Sequence, residues 1–159
     1  IQYNLYFALL FQVRNIRSIV YHGKIRLDSQ PKDEFFLEKC IGEQVYPDVI
    51  GREADHLEVV YTPLCGAGYR MVPEVLRRIG VKHLSTVDCQ MTPDGNFPGL
   101  AKPNPEYPAA FAEGIKVAAQ VKSDLIIATD PDCDRVGVMA RDRDGEFKCI
   151  TGNQMGSLL

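Results

Sequence analysis

Asp124-Leu125-Ile126-Ile127-Ala128-Thr129-Asp130-Pro131-Asp132-Cys133-Asp134-Arg135 sets an almost wholly apolar run directly before three aspartates. Leu125 to Thr129 is too short for a helix and rich in β-branched residues, and its unbroken apolarity predicts a strand buried on both faces. The carboxylates then fall at the C-terminal end of that strand, where open α/β sheets place their ligand sites. Downstream, Val136 to Ala140 predicts a strand that returns antiparallel, because the intervening loop is too short for a crossover. Asp144-Gly145 is a hairpin turn signal leading into Glu146 to Ile150. Upstream, Asn104-Pro105-Glu106 offers a capping side chain, a fixed φ and an acid, predicting a helix to about Val121 with Phe111, Ile115, Ala118 and Ala119 on its buried face. Earlier still, Leu57 to Tyr61 and Val81 to Val87 read as strands. They flank a helix whose apolar positions Val72, Val75, Leu76 and Ile79 recur at i, i+3, i+4 and i+7 before Gly80. Two helical crossovers imply parallel strands. The predicted class is α/β, a three-layer αβα arrangement with a mixed, mainly parallel four-stranded sheet.

Around that unit, the expected organisation is an unassigned N-terminal extension over 1–32, a helical linker over 33–55, the domain over 56–150, and a helix start over 151–159. Its residues 1–30 carry Arg14, Arg17, Lys24 and Arg26 against a single acid, Asp28, and show no clean period. Within the linker, Phe35, Phe36, Leu37, Cys40 and Ile41 fall near helical spacing with Gly42 as a stop, and Tyr46 to Ile50 suggests a further turn before Gly51. The apolar run Leu5 to Val13 is too short to span a bilayer. A net charge of −3 over 159 residues gives no general attraction to nucleic acid or to an anionic membrane. Five scattered cysteines without a C-x-x-C pair argue for free thiols in a reducing, cytoplasmic setting, against a disulfide framework or a zinc site.

Chemistry concentrates in Asp130, Asp132 and Asp134. Three converging anions repel unless a cation offsets them, and an all-oxygen donor set suits a hard ion such as Mg²⁺. Pro131 restricts the loop backbone, and the Arg135 guanidinium is a planar fork suited to a pair of phosphate oxygens. A solvated acidic turn is the bland alternative. An aspartate-nucleophile phosphatase, with Asp130 or Asp132 attacking, is the sharper one. A calcium EF-hand loop beginning at Asp130 is excluded, because its sixth and twelfth positions are Arg135 and Arg141 in place of Gly and Glu. Gly66-Ala67-Gly68 lacks the third glycine of a dinucleotide fingerprint, Met71 standing there, and reads as a turn that permits close approach. His22, His56 and His83 are too dispersed for a ligand set. Cys133, among carboxylates that disfavour its thiolate, reads as a small spacer.

The loop Thr129 to Arg135 resembles the magnesium-binding loop of the α-D-phosphohexomutases, the phosphoglucomutase/phosphomannomutase family. The resemblance extends to Tyr61-Thr62-Pro63-Leu64-Cys65-Gly66-Ala67-Gly68, to Pro93-Asp94-Gly95-Asn96-Phe97-Pro98 with Pro103-Asn104-Pro105-Glu106, and to Thr151-Gly152-Asn153-Gln154-Met155-Gly156. These motifs follow the family order over roughly residues 33 to 159. The resemblance implies the middle, metal-binding domain (domain II) of a four-domain enzyme. That enzyme moves a phosphoryl group between O1 and O6 of a hexose phosphate. By it, Asp130, Asp132 and Asp134 hold Mg²⁺, Arg135 contacts phosphate, and a phosphoserine on the preceding domain completes the metal shell. The family's serine loop of the type T-A-S-H-N-P and its sugar loop of the type G-E-x-S-G have no counterpart in these residues. The chain is therefore expected to be inactive alone, a metal-binding module without turnover, with the remaining domains and a hexose phosphate as partners. Sugar specificity is not legible.

Overall fold

The computed structural model describes residues 30–44 and 47–158. The run Leu5 to Val13 and the extension assigned to the N-terminus lie outside these residues up to position 29, as does Tyr46.

The elements follow in the order α1 (Gln30–Gly42), α2 (Pro47–Glu53), β1 (Glu58–Thr62), α3 (Met71–Arg78), β2 (His83–Thr86), α4 (Ala112–Val121), β3 (Leu125–Thr129), β4 (Val136–Arg141), β5 (Phe147–Ile150) and α5 (Gly152–Leu158). One sheet runs β2-β1-β3-β4-β5. β1 pairs parallel with both β2 and β3, whereas β3–β4 and β4–β5 are antiparallel. The mixed α/β class stands, but the sheet has five strands where four were expected. The hairpin signal at Asp144-Gly145 was sound, and its second arm pairs with β4 from Arg141↔Phe147 to Val138↔Ile150, with Gly145 at φ 87°.

Alternation along the central strands divides the core into two. Val59, Tyr61, Leu125, Ile127 and Val138 pack with Leu37, Ile50, Val72, Val75, Leu76, Ile79 and Met155, which come from α1, α2, α3, Ile79 beyond its end, and α5. Val60, Ile126, Ala128 and Met139 pack on the other face with Ala110, Phe111 and Ala118. Helices therefore cover both faces, and all five residues of β3 are buried. This is the two-sided burial that its uninterrupted apolar run requires.

Several boundaries differ from the expectations. The helix expected from Asn104 begins only at Ala112, after a 3₁₀ turn over Pro108–Phe111. The Asn104 side chain does cap, accepting from the Glu106 amide at 2.9 Å, yet the turn closes on itself through Tyr107 N–H to the Asn104 carbonyl at 3.1 Å. Pro108 then forces Tyr107 into extended backbone (φ −97°, ψ 122°), because the residue before proline is barred from the helical region. With the start moved, Ile115 and Ala119 turn outward. The inward positions are Phe111, Gly114 and Ala118. A Cβ on Gly114 would stand 3.0 Å from Ile126 Cγ2, so this glycine brings α4 close to the sheet. α1 begins at Gln30, ahead of Asp33, and α2 continues through Gly51 to Glu53. β2 spans only four of the seven residues expected, since Val81 N–H donates to the Leu76 carbonyl and ends α3. α5 opens on a capping box: Gln154 N–H donates to Thr151 Oγ1 at 3.2 Å and Thr151 N–H to Gln154 Oε1 at 2.9 Å.

Candidate metal centre

The chain leaves β1 toward α3 on one face and enters β3 from α4 on the other. The C-terminal ends of β1 and β3 therefore border the switch point of the sheet, where doubly wound folds open a crevice. The acidic loop caps β3 there. Asp130, Asp132 and Asp134 converge, each offering one carboxylate oxygen within 4.8 Å of the others'. Asp130 is fully buried, Asp134 half-buried and Asp132 exposed, so the cluster is a cup with a closed floor and an open rim. The loop holds its shape through Cys133 N–H to the Asp130 carbonyl at 3.0 Å, and Cys133 itself sits in the left-handed region at φ 62°.

Arg135 is bound to the floor of this cup. Its backbone N–H donates to Asp130 Oδ1 at 2.9 Å and its Nε to Asp130 Oδ2 at 2.6 Å, while Nε lies 3.5 Å from Asp134 Oδ1. Burial pushes the Asp130 carboxyl upward. The bonds from the Arg135 amide, from its guanidinium and from Asp134 outweigh that penalty and hold the group below the usual carboxylate range. Asp134 goes the other way, raised by its contact with Asp130, then by burial and the charges of Asp130 and Asp132. One guanidinium does not offset three carboxylates, and the half-buried Asp134 bears the excess. That shortage of positive charge, with an all-oxygen donor set, fits a hard divalent cation. The Cys133 thiol is pushed up to about 11, chiefly by burial and further by the three aspartates, although a bond from Thr129 works against it. The thiol is thus kept neutral, and the spacer reading suits it.

The neighbouring turn after β1 presses on this loop. Gly66 lies flat on Pro131, where any Cβ would overlap the proline backbone, and Ala67 N–H donates to the Pro131 carbonyl at 2.8 Å. A Cβ on Gly68 would meet Tyr61 Oη at 2.5 Å and Thr129 Oγ1 at 2.8 Å, atoms that hydrogen-bond each other at 2.8 Å beneath the loop. The glycines were expected to allow close approach. The surface they approach includes the acidic loop as well as the strands. On the far side, Pro105 packs against Gly137 at the start of β4, another position where a Cβ would overlap backbone.

The three aspartates and Arg135, proposed from sequence, thus meet at one place. Among the described residues no histidine joins the cluster, His83 lying near Glu58 at the opposite end of β1, at 3.5 Å; His22 lies outside the described residues. Gln90 was missed, as it lies in a stretch legible only as turn punctuation. Its side chain accepts from the hydroxyl of Thr62, which lies 28 residues away in sequence.

A family profile described as "Phosphoglucomutase/phosphomannomutase, alpha/beta/alpha domain II" matches residues 36–145. A phosphoglucomutase of Staphylococcus aureus (strain N315) is 41% identical over 103 residues, covering 65% of this chain and 19% of that protein. The phosphoglucomutase of strain MRSA252 is 40% identical over the same length. The chain therefore spans about a fifth of the length of these curated relatives. A crystal structure of a putative phosphomannomutase from Thermus thermophilus superposes with a TM-score of 0.54 at 23% identity, over 72% of this chain and 25% of that one, and supports the fold. With that profile matching most of its length, residues 36–145, the chain belongs to the phosphoglucomutase/phosphomannomutase family, as its α/β/α domain II.

Proposed function

We propose that this domain provides the metal seat of a phosphohexomutase, with Asp130, Asp132 and Asp134 as the Mg²⁺ ligands and Arg135 as a phosphate contact. The observation that carries the reading is the convergence of three carboxylates at the switch point of the sheet, two of them, Asp130 and Asp134, beside the Arg135 guanidinium. A divalent cation bound there supplies charge neutralisation to a transferring phosphoryl group. Asp130 sets the depth of the seat, and its bond to Arg135 Nε leaves the terminal guanidinium nitrogens to meet phosphate oxygens. Asp132, the exposed member of the three, stands at the rim of the seat.

The whole reaction is phosphoryl transfer between O1 and O6 of a hexose phosphate. It needs a nucleophile and sugar contacts that other domains of a longer enzyme would contribute, so these 159 residues alone would bind metal without turnover. A reducing, cytoplasmic setting accords with five unpaired cysteines, and no helix among the described residues is long and apolar enough to cross a membrane.

Paramagnetic Mn²⁺ tests the seat. At substoichiometric metal, amide signals of Asp130 and of residues 132–135 should broaden before those of 142–146, a second acidic turn whose Asp142 is occupied by backbone amides and Lys148. Equal broadening of the two loops would reduce the cluster to a solvated acidic turn.

A further inference from the structure

We propose that Thr62 and Gln90 are positioning residues for the acidic loop, acting on it through Pro131. The inference deepens the metal-seat reading and rests on it for one consequence, a tighter hold on the cation. Thr62 is the last residue of β1 and fully buried, and Gln90 is 2% exposed. The Thr62 hydroxyl donates to Gln90 Oε1 at 2.5 Å and accepts from Leu64 N–H at 3.1 Å, while the Gln90 backbone carbonyl accepts from Cys65 N–H at 3.0 Å. Between them stand two successive non-glycine residues in the left-handed region, Leu64 at φ 47° and Cys65 at φ 61°. Such backbone persists only where its surroundings over-determine it. The Thr62–Gln90 pair does so from both sides, and Gly66 N–H to the Pro63 carbonyl at 2.8 Å closes the turn.

The left-handed pair aims the chain. It sets Gly66 down on Pro131 and points Ala67 N–H at the Pro131 carbonyl, 2.8 Å away. Pro131 stands between Asp130 and Asp132, so its placement sets the separation of the two carboxylates. A buried threonine–glutamine bond that served stability alone could lie anywhere in the core. This one is at the strand end, and its effect passes through one turn to the backbone that carries the acids.

Hydrogen exchange on Thr62→Val, which keeps the shape and removes the hydroxyl, tests the proposal, with Thr62→Ser as the conservative rescue and Gln90→Met as a second disruption. Protection of the Ala67 and Cys133 amides should fall about tenfold in Thr62→Val and Gln90→Met relative to β3 amides, the size of one hydrogen bond. It should return nearly to the starting value in Thr62→Ser. The apparent Mg²⁺ affinity, read from the metal dependence of the melting temperature, should weaken and recover in parallel. Ala67 and Cys133 protection that stays unchanged in both disruptions, or falls only in step with the β3 amides, would overturn the proposal. If the original chain shows no response to Mg²⁺ while the Ala67 and Cys133 amides loosen as expected, the metal-seat reading fails and the positioning role stands.

Discussion

At the scale of single residues, the loop 129–135 states its chemistry in contiguous sequence, and for that reason it could be read. Three acids, a proline and an arginine within seven positions need no tertiary information to suggest a charged seat. The bond from Arg135 Nε to the Asp130 floor could not be read, because it depends on how the loop folds back on itself, nor could the Thr62–Gln90 clamp, because it depends on how separate segments meet. Cys133 offers a check on the electrostatics. Its thiol, pushed up to about 11, carries only about one thiolate in a thousand at pH 8, and thiolate is the form that reacts. Iodoacetamide at pH 8 should therefore label the exposed Cys89 well before Cys133. The Cys133 rate should climb about tenfold per pH unit as pH rises from 8 toward 10. Mass spectrometry of the tryptic peptides would read both, and a Cys133 rate that is flat over that range would refute the burial-driven shift.

Among the elements, periodicity placed α3 and β3 almost to the residue, because each has an unbroken pattern with a clear stop. It misplaced the start of α4, since Asn104-Pro105-Glu106 is a genuine cap signal used to close a turn and Pro108 prevents the helix from following at once. The corrected register has an energetic consequence. Phe111 is fully buried, so Phe111→Ala should cost about 3–5 kcal/mol of unfolding free energy, whereas Ile115→Ala, at a position 37% exposed, should cost under about 1 kcal/mol. Urea denaturation of both variants checks this. Comparable losses would mean that Ile115 faces the sheet and that the sequence-based register was right.

On the scale of the whole molecule, the layer order followed from the alternation of elements, and the parallel core from its crossovers. The fifth strand was signalled by a hairpin turn, yet its own sequence, Phe147-Lys148-Cys149-Ile150, is short and only half-buried at the sheet edge. The family was legible because several motifs stand together in one order, and the profile matching residues 36–145 bears out the family itself. What the domain contributes to a mutase reduces to one claim, that the three aspartates bind a divalent cation in the folded state. Thermal melts of the chain and of Asp132→Asn across a Mg²⁺ titration test it most directly. Ligand that binds only the folded state stabilises it by about 2.7 kcal/mol at 100 times Kd. The Asn variant should need more metal for the same gain, and should melt higher without metal because two like charges repel less than three. A chain that gains nothing at saturating Mg²⁺, or an Asn variant that gains equally at the same concentrations, would contradict the metal seat.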